Sequence, residues 1–233
     1  YRGPGFTDQL EENNVQERAR RRVLAVYAHP DDAEIWAGGT LLAHRELGDH
    51  TAVCVMTHGD TARHAEAKHG ARLLDATLHH LSFQDRALAL ANGAVEALAE
   101  VLRRERPHII LTHWSADSHP DHRATWEITR AAILLAEAER ELAGLFWSDT
   151  YNSLGESGLF AADSFINVSD MWKAKLAAIM AHESQHPADY CAMTSNQCAL
   201  LGAGCGVRYA EGFRRVPFIG RGHRAAATLN EFC

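Results

Sequence analysis

Short apolar runs alternate with segments of helical period along most of this 233-residue chain, and that alternation constrains the fold more than any other feature. Val23 to Tyr27 has the composition of a strand buried on both faces, and the segment from Ala33 to Leu47 is helical in period and closes with Gly48. Thr51 to Thr57 predicts a second buried strand, Ala62 to Leu78 a second helix, and His80 to Phe83 a third strand. Val95 to Arg106 is helical and stops at Pro107; His108 to Thr112 is the next strand, and a long helix is expected from Pro120 to Leu142. Leu145 to Tyr151 and Ser164 to Val168 suggest strands, Met171 to Glu183 and Asp189 to Leu201 helices, Gly202 to Gly206 a turn, and Val216 to Gly220 a closing strand or loop. The pattern defines an α/β fold: a Rossmann-like, doubly wound, mostly parallel sheet with helices on both faces. Residues 1–21 are polar and without apolar period, a flexible arm; residues 22–233 form one domain.

Composition excludes several functions. A formal net charge of −7 repels nucleic acid and anionic membranes. The single basic run, Arg18 to Arg22, follows Glu11, Glu12 and Glu17 and serves as a solvated lead-in to the first strand. No apolar run approaches the roughly 20 residues that span a bilayer, so no membrane insertion is expected. Five cysteines (Cys54, Cys191, Cys198, Cys205, Cys233) form no CxxC pair and fit reduced thiols in a cytoplasmic protein. A homo-oligomer is left open. Fifteen histidines raise the prior for metal or acid–base chemistry.

Two tetrads concentrate that chemistry: His29-Pro30-Asp31-Asp32 and His119-Pro120-Asp121-His122. Each follows a predicted strand and opens a predicted helix, where proline is tolerated because its missing N–H has no partner. Residues three apart at a helix start can turn toward one point. In doubly wound sheets the first and fourth strands are commonly neighbours, and ligands bind where strand order reverses. The tetrads should therefore meet. Their donors suit a catalytic zinc, which takes three His or carboxylate ligands and keeps a position for water. Chemistry alone does not say which histidine of the second tetrad binds metal. The simpler account, in which Asp31 and Asp121 merely cap helices, explains one tetrad better than two.

Ala28-His29-Pro30-Asp31-Asp32 after a hydrophobic strand, with His119-Pro120-Asp121-His122 downstream, resembles the PIG-L/LmbE-like family of zinc N-deacetylases. Supporting likenesses are Thr57-His58-Gly59-Asp60, Arg63 to Glu66, Gln84-Asp85, Lys175 with His182 to Gln185, and Tyr209 to Phe213, so the resemblance spans about residues 22 to 215. It implies one Zn2+ per chain on His29, Asp32 and His122, with Asp31 as general base. It implies His119 as the imidazolium that stabilises the oxyanion, and Asp121 as the carboxylate orienting it. Arg63 and Asp85 fall where the family contacts substrate. Asp60 replaces the family's usual Glu. The implied substrate is a small N-acetylated sugar or glycoconjugate.

Other readings fare worse. A dinucleotide module needs Gly-x-Gly-x-x-Gly at the first strand-to-helix turn, whereas Gly38-Gly39 comes too late and suits close packing instead. An amidase of a larger sugar or thiol conjugate would share the metal site, and so would a non-catalytic sugar-binding homologue. Trp36 and Trp126 belong to the core; Trp114, in the loop before the second tetrad, is expected to line the pocket. Substrate-dependent variation is expected around Asn152 to Ser164.

Overall fold

The structure, a computed structural model, describes residues 19–90 and 93–217. The arm expected over residues 1–21 and the segment beyond Pro217 lie almost wholly outside them. Five parallel strands form the centre: β1 (Arg22–Tyr27), β2 (His50–His58), β3 (Thr77–Gln84), β4 (Ile109–Thr112) and β5 (Gly144–Ser148). Between them run α1 (Asp32–Glu46), α2 (Thr61–Leu73), α3 (Ala94–Glu105) and α4 (Pro120–Leu135). A two-stranded ribbon, β6 (Leu154–Gly155) and β7 (Gly158–Leu159), precedes β8 (Ser164–Asn167), α5 (Trp172–Met180), α6 (Pro187–Cys205) and β9 (Ala210–Arg215). The seven-stranded sheet has the order β3-β2-β1-β4-β5-β9-β8, with β9 antiparallel to both of its neighbours.

The reversal of strand order falls between β1 and β4, as the doubly wound reading requires. Val23 pairs with Ile109 and Val26 with Thr112, so both strands end side by side and release the two tetrads into one crevice. Alternation along β1 divides the core: Leu24 and Val26 pack with Ile110, Leu98, Leu102, Trp126 and Ile133 on one face. Val23, Ala25 and Tyr27 pack with Ile35, Leu41, Leu74, Ile179 and Phe213 on the other.

Several boundaries differ from the sequence reading. The second helix stops at Leu73, and Thr77 and Leu78, expected within it, open β3. The long helix stops at Leu135, because Glu137 takes a left-handed conformation (φ 52°) and a 3-10 turn, Ala138–Arg140, replaces the final turns. Strand β5 ends at Ser148, and Tyr151 enters a 3-10 turn of its own. Helix α6 runs through the glycine-rich stretch to Cys205 and ends at Gly206 (φ 72°). Gly202 is there for close approach: a Cβ would lie 2.8 Å from the carbonyl oxygens of Val207 and Arg208. The last described strand is β9, earlier than the expected Val216 to Gly220; of that segment Val216 and Pro217 follow β9 and the rest lies outside the described residues.

Candidate metal and catalytic centre

Helix α1 begins immediately after β1, with Asp31 at its N-cap position. The Asp31 side chain accepts no capping hydrogen bond, and its backbone sits at φ 143°, a conformation L residues rarely adopt. A helix cap does not account for this residue. Asp32 is turned inward, accepting from the His29 backbone N–H (2.7 Å) and from Trp36 Nε1 (3.2 Å). In the second tetrad His119 is the N-cap of α4, and its Nδ1 accepts from the Asp121 backbone N–H (3.2 Å).

Three donors converge across the crevice. His29 Nδ1 lies 3.3 Å from Asp32 Oδ2 and 3.3 Å from His122 Nε2, and His122 Nε2 lies 3.5 Å from Asp32 Oδ1. A tetrahedral zinc with bonds near 2.0–2.2 Å holds its ligand atoms about 3.3–3.6 Å apart; each pair here approaches to that range, the two histidines meeting different oxygens of Asp32. Convergence also takes in His119, with His29 and His122, and His113, with Asp32 and His122. His113 Nε2 accepts from the Ala28 N–H (3.0 Å), which occupies its lone pair, and its ring stacks on His122 at 3.6 Å.

The surroundings orient these donors. His122 Nδ1 is 3.0 Å from Asp117 Oδ2, which also accepts from Thr150 Oγ1 (2.6 Å). A carboxylate so close behind a buried imidazole is placed to orient it, as carboxylates do behind metal-binding histidines. His29 Nε2 lies 3.2 Å from Asp85 Oδ1 and 3.4 Å from Asp121 Oδ2. The Asp121 carboxylate thus faces His29, not His119 as expected, and is held by the backbone N–H groups of Arg86 and Leu88. What links Asp121 to His119 is its main chain.

Charge follows geometry. Burial and the adjacent Asp32 push the Asp31 carboxyl up to about 7, despite Arg63. Burial also opposes ionisation of Asp32, yet His122 and His113 hold it well below the usual carboxylate range. Against burial, Asp121 and Asp32 raise the His29 imidazole to about 10. Burial beside His122 and His29 lowers His119, so its surroundings favour the neutral ring over the expected imidazolium. Burial brings His113 down to about 4, and His122 counters burial to hold Asp117 at about 2.

Arg63 spans the rim, 3.6 Å from Asp31 Oδ1 and 3.6 Å from Asp85 Oδ2. Asp60, where the family has Glu, caps α2 by accepting from the Arg63 N–H (2.9 Å). Trp114, expected to line the pocket, is buried, edge-on to Phe160, beneath the β6–β7 ribbon, where a Cβ on Gly155 would strike its ring at 2.5 Å. Trp36 is buried and also serves the site through its bond to Asp32. Sequence reasoning missed His113, Asp117 and Tyr151, whose ring faces His122 at 5.7 Å. Asp117 had a signal: it sits two residues before His119 in the loop already singled out.

The late motifs converge behind α1. Lys175 Nζ, fully buried, donates to Glu211 Oε1 (2.6 Å) and to the carbonyls of Ile35 (2.6 Å) and Glu34 (3.1 Å). Glu211 in turn accepts from the backbone N–H groups of Gly39 and Thr40 and from Thr40 Oγ1. His182 lies 3.5 Å from Glu34, and Ser184 donates twice to Glu66. Gly39 permits this closeness, since a Cβ would meet Val168 at 2.7 Å.

A doubly wound α/β sheet thus brings His29, Asp32 and His122 together at its switch point, with the buried Asp31 carboxylate beside them facing Arg63, an arrangement with the donors to hold a metal ion. Residues 24–133, just under half of the chain, match the family model described as PIG-L, GlcNAc-PI de-N-acetylase. The diacetylchitobiose deacetylase of Thermococcus kodakarensis is 29% identical over 85% of this chain and 84% of its own length. A conserved protein of Thermus thermophilus has a TM-score of 0.73 at 29% identity, over 88% of this chain and all of that one. The 4-carboxy-2-hydroxymuconate hydratase of Pseudomonas putida has a TM-score of 0.75 at 23% identity, over 90% of this chain and 99% of that one, a likeness of fold.

Proposed function

We propose that this protein is a zinc-dependent N-deacetylase that hydrolyses the acetamido group of a GlcNAc-containing sugar. The observation that carries the reading is the convergence of His29, His122 and the Asp32 carboxylate, whose two oxygens lie 3.3 and 3.5 Å from the histidine nitrogens, with the uncapped Asp31 next to it. Held by those three residues, zinc would bring the pKa of a bound water toward about 7 and polarise the acyl oxygen. Asp31, raised to about 7, is matched to accept the water proton and to return it to the departing amine nitrogen. His119 accepts at Nδ1, so its remaining proton is on Nε2, available to the oxygen on which charge develops. Neutral His119 donates there without needing to be charged.

The substrate class follows from charge. Asp31, Asp32, Asp85, Asp117 and Asp121 surround the centre, and Arg63 at the rim is already between two of them. An acidic crevice suits an uncharged acetamido sugar and repels the anionic substrate of a hydratase. The reading is tested by metal content and amine release, on wild type and His122→Ala, with N-acetylglucosamine derivatives, bulky amide conjugates and an unsaturated dicarboxylate. About one zinc per chain, lost in the variant, with amine released from the acetamido sugars supports it. Zinc-loaded protein that releases no amine, or that hydrates only the dicarboxylate, overturns it.

A further inference from the structure

We propose that His64 and His80 form a second metal site, specific for a transition-type divalent ion such as zinc or nickel and separate from the His29–Asp32–His122 centre. The two Nδ1 atoms face each other in contact, and the rings stack with centroids 4.6 Å apart and planes 16° from parallel. His80 Nε2 lies 2.8 Å from the Thr57 carbonyl oxygen, which can only accept. Nε2 therefore carries the proton of the neutral ring, and Nδ1 presents a lone pair toward His64. Backbone orientation of one ring nitrogen while the other faces a partner donor is the arrangement metal-binding histidines use.

Something positive must lie between two facing imidazole nitrogens, either a proton or a metal ion. The groups that act on the charge of His80 besides burial and Thr57 are His64, His58 and Lys68, all cationic when protonated. They disfavour a second proton on the pair. Between two neutral rings a divalent ion can take the place of the shared proton. The Nδ1 atoms must then part to about 3.3 Å, a small change for side chains that are both half-buried and open to water for the remaining ligands. Imidazole donors select zinc, nickel or copper over magnesium or calcium.

The pair stands on elements apart from the first centre: His64 in the first turn of α2, His80 in β3 beside the register shift between Val55 and Thr57. His64 follows Arg63, whose guanidinium faces Asp31 and Asp85, so an ion here would pin the helix turn that carries the rim arginine.

Equilibrium dialysis of the full chain against zinc chloride, read by elemental analysis, tests the proposal. Wild type should saturate at two zinc ions per chain; His64→Ala and His80→Ala should each hold one. His122→Ala should keep one, His64→Ala/His122→Ala none, and millimolar magnesium should displace neither ion. His64→Gln repeats the measurement without shortening the side chain to a methyl, guarding against a local folding defect. Saturation of wild type at one ion, or two ions retained in both His64→Ala and His80→Ala, would overturn it.

Discussion

Asp31 combines a strained backbone, a buried carboxyl and no capping bond, features that suit the proposed general base better than a helix cap. Asp31→Asn should retain zinc and lose about 10²- to 10⁴-fold in turnover, the usual contribution of a positioned base; elemental analysis and steady-state kinetics check both halves. Because this base works ionised and its pKa is raised to about 7, activity should rise with pH through about 7 and fade below it. A pH profile flat from 5 to 8 would contradict the assignment. Asp121 makes a sharper case, since its carboxylate faces His29. Asp121→Asn should weaken zinc affinity by about 10- to 100-fold, as loss of a carboxylate behind a metal-binding histidine does. If it acted through His119 instead, zinc affinity would be unchanged and only turnover would fall.

At the scale of elements, α1 is held in place by a buried ion pair reaching from α5 and β9. Lys175→Met leaves Glu211 without its cation and the Glu34 and Ile35 carbonyls without that donor. Breaking a buried pair costs about 3–5 kcal/mol, so denaturant midpoints should fall steeply in this variant. Gly39→Ala forces a methyl against Val168 at 2.7 Å and should cost about 1–3 kcal/mol by overpacking, measured the same way. The sequence carried these residues as separate likenesses, Lys175 in one segment and Glu211 in another. Their meeting depends on β9, which was illegible as a strand because Glu211 is buried as an ion while Arg214 and Arg215 are exposed, so no apolar alternation marks it. Strand-to-helix junctions were legible for the opposite reason: apolar runs buried on both faces and proline at the helix start leave few alternatives.

At the scale of the molecule, the crevice is a consequence of strand order, since β1 and β4 must be adjacent for His29 to meet His122. That adjacency was inferable from topology rules; the side-chain partners within the crevice were not. Asp121 and His119 are two residues apart in sequence, yet the carboxylate turns away to the backbone amides of Arg86 and Leu88, contacts that depend on the loop after β3. Trp114 likewise reads as a loop residue, and only the ribbon folding over it puts it in the interior.

The most direct test is acetate release from a diacetylated chitobiose by the zinc-loaded protein, compared with an Asp31→Asn variant shown to hold the same zinc. The account predicts one acetate per free amine formed by wild type and a rate at least about 100-fold lower in the variant. No acetate from wild type, or equal rates from both proteins, would contradict it.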